Sequence, residues 1–187
     1  MKNSFFVYLI CMIVSQKLTA QDTASIDSLR LIAPKPKIVN KIQLDSVIHQ
    51  SECSYKIVLF YNYWCQSSWQ NLPPIMEYCQ NHNEQIQLIL IAGELPEKIG
   101  SLQGFLSMMK FYDTTYLLDI KDYGKKKNPF SRIDKCVKAI CPSCNPHKMG
   151  YTAYIVFDKN DKVIFNATYE LDGKQKVDAI KSLDLIN

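Results

Sequence analysis

The sequence lacks a strong charge of either sign, a long apolar run and any internal repeat. Its 22 basic and 18 acidic residues give a formal net charge of +4 over 187 residues. That is too weak and too dispersed for a surface that binds nucleic acid by neutralising phosphates. The one basic run, Lys125-Lys126-Lys127, reads as a solvated loop. The longest apolar stretch, Phe5 to Val14, is short of the roughly 20 residues that cross a bilayer. No low-complexity tract points to a fibre or solenoid. With 47% hydrophobic and 21% charged residues the chain is not disordered, and it is long enough to bury a core without disulfide staples. Seven cysteines therefore exceed what stability needs, and some of them should carry chemistry or specialised cross-links.

The apolar stretch follows Lys2 and precedes polar Ser15-Gln16-Lys17, then Leu18-Thr19-Ala20 ahead of Gln21. This is the pattern of a secretory signal peptide over residues 1–20, cleaved after Ala20. A lipoprotein signal would need a small residue before Cys11 and finds Ile10; an uncleaved anchor is the other alternative. Cleavage leaves 187 − 20 = 167 residues and 7 − 1 = 6 cysteines, with no stable membrane span, in a secreted or periplasmic and oxidising setting. Residues 21–39, with Pro34 and Pro36, read as a linker that requires no packed structure. Residues 40–187 then form a single domain.

Within it, apolar runs alternate with helical patterns, the signature of an α/β fold. Leu44, Val47 and Ile48 have amphipathic helical spacing. Ile57 to Tyr61 and Ile86 to Ala92 read as strands covered on both faces, and Thr115 to Leu118 as a third. A helix over 67–81 should kink or restart at Pro73-Pro74, and another is expected over 95–111. Asn128-Pro129 suits the N-cap and first turn of a helix carrying Phe130, Ile133, Val137 and Ile140. Ala153 to Phe157 and Val163 to Asn166 form a hairpin across Asp158-Lys159-Asn160-Asp161. A helix with Val177, Ile180 and Leu183 closes the chain.

Between the first of these strands and its helix lies Tyr63-Trp64-Cys65-Gln66-Ser67-Ser68. A thiol at a helix N-terminus faces unpaired N–H groups and the positive end of the helix dipole. Both favour the thiolate, the form that attacks a disulfide, and lower the pKa from about 8.5. Trp64-Cys65 after the aromatic Phe60-Tyr61, Pro73 eight residues further on, and the strand Thr152 to Asp158 resemble the thioredoxin superfamily, closest to its secreted TlpA/ResA-type thiol–disulfide oxidoreductases. The resemblance spans residues 40 to 185. It implies a thioredoxin-like fold, a central mixed sheet with helices on both faces, with Cys65, Ser68 and Trp64 as catalytic residues and Tyr151 and Thr152 at the substrate. It implies no cofactor.

Four positions depart from that family. Ser68 stands where its second, resolving cysteine would be, and a hydroxyl cannot release a mixed disulfide as a thiolate does. Ser68 is instead expected to donate a hydrogen bond to the Cys65 thiolate, leaving monothiol exchange. Leu59 replaces the buried acid of thioredoxins proper, and Asn71 replaces a glutamate of the secreted branch. Tyr151 replaces the cis-proline, and a cis bond before tyrosine would cost about 2.5–4 kcal/mol, so a trans peptide is expected there.

Cys136, Cys141, Cys144 and His147 fall close together in the sequence. Three sulfurs and an imidazole are competent for zinc or copper(I), while an oxidising compartment favours a disulfide. Cys141 or Cys144 is also a candidate to supply the missing resolving thiol to Cys65. Cys79 suits a core position, and Cys53 has no evident partner. Three readings follow: thiol–disulfide exchange through Cys65 with a protein or small-molecule disulfide, a redox-inactive binding module built on Trp64 and Tyr151, or a metal-binding protein.

Overall fold

The computed structural model describes residues 32–182. The expected signal segment lies outside them. Six strands form one sheet in the order β1-β4-β3-β2-β5-β6. In chain order the strands are β1 (Lys37–Val39), β2 (Tyr55–Tyr61), β3 (Ile86–Ala92), β4 (Tyr116–Leu118), β5 (Tyr154–Phe157) and β6 (Val163–Ala167). The helices are α1 (Lys41–His49), α2 (Gln66–Asn81), α3 (Ile99–Met108), α4 (Ile120–Tyr123), α5 (Phe130–Ile140) and α6 (Gly173–Ser182). β1 to β4 run parallel, and β5 and β6 are antiparallel to their neighbours.

The period-two alternation of a strand divides β2 between two cores. Ile57, Leu59 and Tyr61 face one, with Leu72 and Ile75 of α2, Phe105 of α3 and Ile180 of α6. Val58 and Phe60 face the other, with Leu44 of α1 and Ile133 and Val137 of α5. Helices therefore cover both faces of a mixed sheet, as expected. Leu59 lies in the first core at zero exposure.

Four local expectations change. Lys37–Val39, read as linker, pairs with Tyr116–Leu118 as an edge strand, and Ala33 is buried against the core. The residues predicted as one helix over 95–111 form a 3-10 turn at Pro96–Lys98 and then α3. Lys110 at φ 55° ends that segment. Asn128 lies one residue outside the cap: its side chain accepts from Phe130 N, and Pro129 is the N-cap.

α2 runs unbroken through Pro73 and Pro74. A proline inside a helix costs ~3 kcal/mol, whereas Leu72, Ile75 and Met76, all buried on the same face, contribute roughly 1.5–3 kcal/mol each. Packing carries the helix across. The carbonyls that lose a donor belong to Trp69 and Gln70, both exposed residues.

Candidate functional site

Cys65 sits where β2 hands over to α2. It is the N-cap, in extended conformation with φ −86° and ψ 121°, and its carbonyl accepts from Ser68 N at 2.9 Å and Trp69 N at 3.3 Å. The thiol is free and half-buried. It borders a cavity of about 390 Å³ whose other walls include Ser67, Phe130, Met149, Tyr151 and Tyr169. Asp134 and the exposed His147 also line it, 3.9 Å apart.

Trp64, half exposed, stands edge-on to Tyr151 at 5.4 Å between ring centroids. Phe130 packs on Tyr151 at 4.8 Å. A buried polar group fixes this aromatic frame. Trp64 Nε1 donates to Glu94 Oε1 at 2.8 Å. Asn62 Nδ2 donates to the same oxygen and, at 2.8 Å, to the Tyr151 hydroxyl. Burial pushes the Tyr151 phenol well above its usual range, so it stays protonated.

Arg132, fully buried, donates to the carbonyls of Gly93, Gly124 and Lys126. Burial lowers its pKa and the nearby Glu94 carboxylate opposes that. Glu94 and Asn62 were not singled out from the sequence. A usable signal existed for both, because each follows the carboxyl end of a buried parallel strand, where sites of open α/β sheets gather.

Ser68 does not take its expected role. Ser68 is fully buried and accepts from Asn62 N at 3.0 Å, satisfying the backbone donor just beyond β2. It makes no hydrogen bond to the Cys65 sulfur. Ser67 is the hydroxyl in the cavity, 2.9 Å from Thr152 Oγ1. Tyr151 lines the cavity, and no cis peptide occurs among the described residues.

Thr152 does not face the cavity. It is buried at φ 63°, unusual for a β-branched residue and sustained only where its surroundings fix it. Its backbone N donates to Phe60 O at 2.7 Å, and its hydroxyl receives Lys176 Nζ at 2.9 Å. Lys176 lies on the buried stripe of α6 beside Val177 and Ile180. Burial pulls its pKa down to about 8. A lysine within an apolar helical stripe was the sequence signal for it, and it was missed.

The cysteine cluster resolves into separate roles. Cys141 and Cys144 form a disulfide with each other, Cα atoms 5.4 Å apart, and not with Cys65. Cys136 is a free thiol buried in the second core, its pKa raised by burial. His147 points outward at 81% side-chain exposure. Two of the three sulfurs are thus consumed, as the disulfide reading expected, and the third faces the core, so the alternative metal site is not assembled from these residues. Among the described residues no group of three or more His, Cys, Asp or Glu side chains is placed to hold a metal ion. Cys79 is a core thiol as expected, its pKa pushed up to about 12 by burial. Cys53 is free and shares with it the lining of a separate cavity at the other end of β2.

The fold is thioredoxin-like. The chain is similar to the solution structure of a thioredoxin-like protein in its oxidised form, with TM-score 0.53 and 14% identity over 82% of this chain and 95% of that one. It is also similar to a thiol:disulfide interchange protein of the thioredoxin family from Chlorobium tepidum TLS, with TM-score 0.50 and 11% identity over 81% and 96%. No protein-family model matches the chain, and no curated protein matches it in sequence. Among the described residues no helix is long and apolar enough to cross a membrane.

Proposed function

We propose that this is a secreted or periplasmic thioredoxin-fold protein that carries out monothiol exchange through Cys65, with a protein or small-molecule disulfide as substrate. One observation carries the reading. Cys65 is a free, half-buried thiol at the N-terminus of a 16-residue helix, it opens on an apolar cavity, and Ser68 stands in place of a second cysteine. The name of the Chlorobium tepidum protein agrees with exchange chemistry.

In this reading the Cys65 thiolate attacks one sulfur of a disulfide, forms the mixed disulfide and releases the other half as a thiolate. With no thiol in its own turn, release requires an external thiol. Incubation with a chromogenic aryl disulfide tests this. One equivalent of aryl thiolate is expected, with the adduct mapped by mass to Cys65 and discharged by added monothiol. An accessible Cys65 that forms no adduct would leave the Trp64–Tyr151 surface as a binding module without redox turnover.

A further inference from the structure

The cavity that Cys65 lines measures about 390 Å³, within the roughly 300–1,000 Å³ of sites that enclose a small molecule. Three aromatic rings form part of its wall: Phe130 from the first turn of α5, Tyr151 from the loop before β5, and Tyr169 from beyond β6. The Tyr151 ring is fixed between Trp64 and Phe130, at 5.4 and 4.8 Å between centroids. Tyr169 packs against the backbone at Gly150, where an added Cβ would lie 3.3 Å from its Cδ1. Phe130 and Tyr169 keep 40% and 49% exposure, so aromatic surface is open to an occupant.

The lining also has a charge preference. Asp134 is its only carboxylate, and no lysine or arginine lines it. Phe130 and Asp134 are four residues apart on α5, which puts them on one helix face, the carboxylate beside the ring. Among the described residues, the one cationic side chain within 4 Å of Asp134 is His147 at 3.9 Å, which is exposed and carries charge only when protonated. The neighbouring Lys148 pairs with Glu170, and Arg132 of the same helix is buried and donates to backbone carbonyls. Aromatic faces attract a cation within about 6 Å, and the carboxylate complements its charge. A neutral occupant would desolvate Asp134 without a partner. An anionic one would be repelled, the more so once Cys65 is a thiolate.

We propose that this cavity binds an ammonium group carried by the substrate, and that the substrate class is a small-molecule disulfide with a primary amine a few bonds from its sulfur. The proposal deepens the exchange reading above and rests on it. In the first step, the Cys65 thiolate attacks one sulfur of ⁺H₃N–R–S–S–R–NH₃⁺, the S–S bond breaks, Cys65–S–S–R–NH₃⁺ forms and the other half leaves as a thiolate. In the second, an external monothiolate attacks the R sulfur, forms a new disulfide and expels Cys65 as thiolate. The ammonium keeps its protons throughout. Asp134 and the aromatic rings anchor it and so hold the S–S bond at Cys65.

The test uses the full chain with Cys53→Ser, so that the partly exposed Cys53 does not contribute. Adduct formation at Cys65 is followed by mass with bis(2-aminoethyl) disulfide, bis(2-hydroxyethyl) disulfide and dithiodiglycolate, which are cationic, neutral and anionic. Each rate is divided by that of the same disulfide with 2-mercaptoethanol, which removes differences between leaving thiols. The normalised rate is expected to be about tenfold higher for the cationic than for the neutral disulfide, and lowest for the anionic one. Asp134→Asn should cut the cationic-to-neutral ratio about fivefold and leave the neutral rate unchanged. Phe130→Leu should cut the ratio about two- to threefold. Equal normalised rates for the cationic and neutral disulfides, or a ratio that survives Asp134→Asn, would overturn the proposal. If no disulfide forms an adduct while iodoacetamide alkylates Cys65, the exchange reading fails. Protection from that alkylation then judges the cavity by itself. Slowing by benzylammonium but not by benzyl alcohol, lost in Asp134→Asn, upholds the ammonium site, and no slowing overturns it.

Discussion

Trp64 Nε1 and Glu94 Oε1 are 2.8 Å apart, so a buried carboxylate from the loop after β3 fixes the indole beside Cys65. The same oxygen holds Asn62, which holds Tyr151. Glu94→Ala is expected to release this frame, remove the main negative charge that favours protonated Arg132, and destabilise the fold by about 3 kcal/mol. Adduct formation at Cys65 should slow about tenfold through lost positioning. Glu94→Gln keeps an acceptor for the indole and should retain most of the rate. Urea unfolding, tryptophan emission and the aryl disulfide assay separate these effects.

Lys176 sets a pH dependence of stability. Its pKa falls from 10.5 to about 8 on folding, chiefly by burial, with Asp172 opposing. Below pH 8 it is charged in both states, and the native state bears the whole burial cost. Between pH 8 and 10.5 the native lysine is neutral while the unfolded chain still binds a proton, so its contribution to stability rises with pH. The difference in unfolding free energy between the parent and Lys176→Met should therefore move in favour of the parent over that range. A flat difference would show that burial does not depress this lysine.

The Cys141–Cys144 disulfide encloses only two residues, so the chain-entropy estimate gives it about 2 kcal/mol. Replacing both by serine should lower stability by that amount. The Cys65 adduct should keep its lifetime, because the two sulfurs are bonded to each other and neither serves as a resolving thiol. A longer-lived adduct in the double variant would show that they do.

Gly173 brings α6 into close contact with α2. A Cβ there would lie 2.9 Å from Pro74 Cγ and 3.0 Å from Asn71 Cα. Gly173→Ala should cost about 1–3 kcal/mol by overpacking, and should also disturb the hydrogen bond from Gly173 N that orients Asn71. Chemical denaturation measures the combined cost.

Much of the architecture was legible because it depends on local chemistry. β2 and β3 are unbroken apolar runs, and such runs in alternation with helical patterns leave few arrangements open. Edge strand β1 was not legible: three residues directly after Pro34 and Pro36 carry no periodicity, and only the unpaired side of β4 makes them a strand. The helix through Pro73-Pro74 was misread for a related reason. Local backbone cost was visible in the sequence, but the apolar face that outweighs it is measured only once α2 lies on the sheet.

The sequence by itself determined that a tryptophan and a cysteine precede a helix at a strand end, with no second cysteine in that turn. Tertiary structure decided which neighbours act on that cysteine. Consecutive helical residues point about 100° apart, so the docking angle of α2 turns Ser68 into the core and leaves Ser67 in the cavity. Glu94 and Lys176 reach the site from 29 and 111 residues beyond Cys65, distances over which no local pattern operates. The cysteine cluster was divided in the same way, because the face on which α5 packs buries Cys136 and leaves Cys141 and Cys144 to each other.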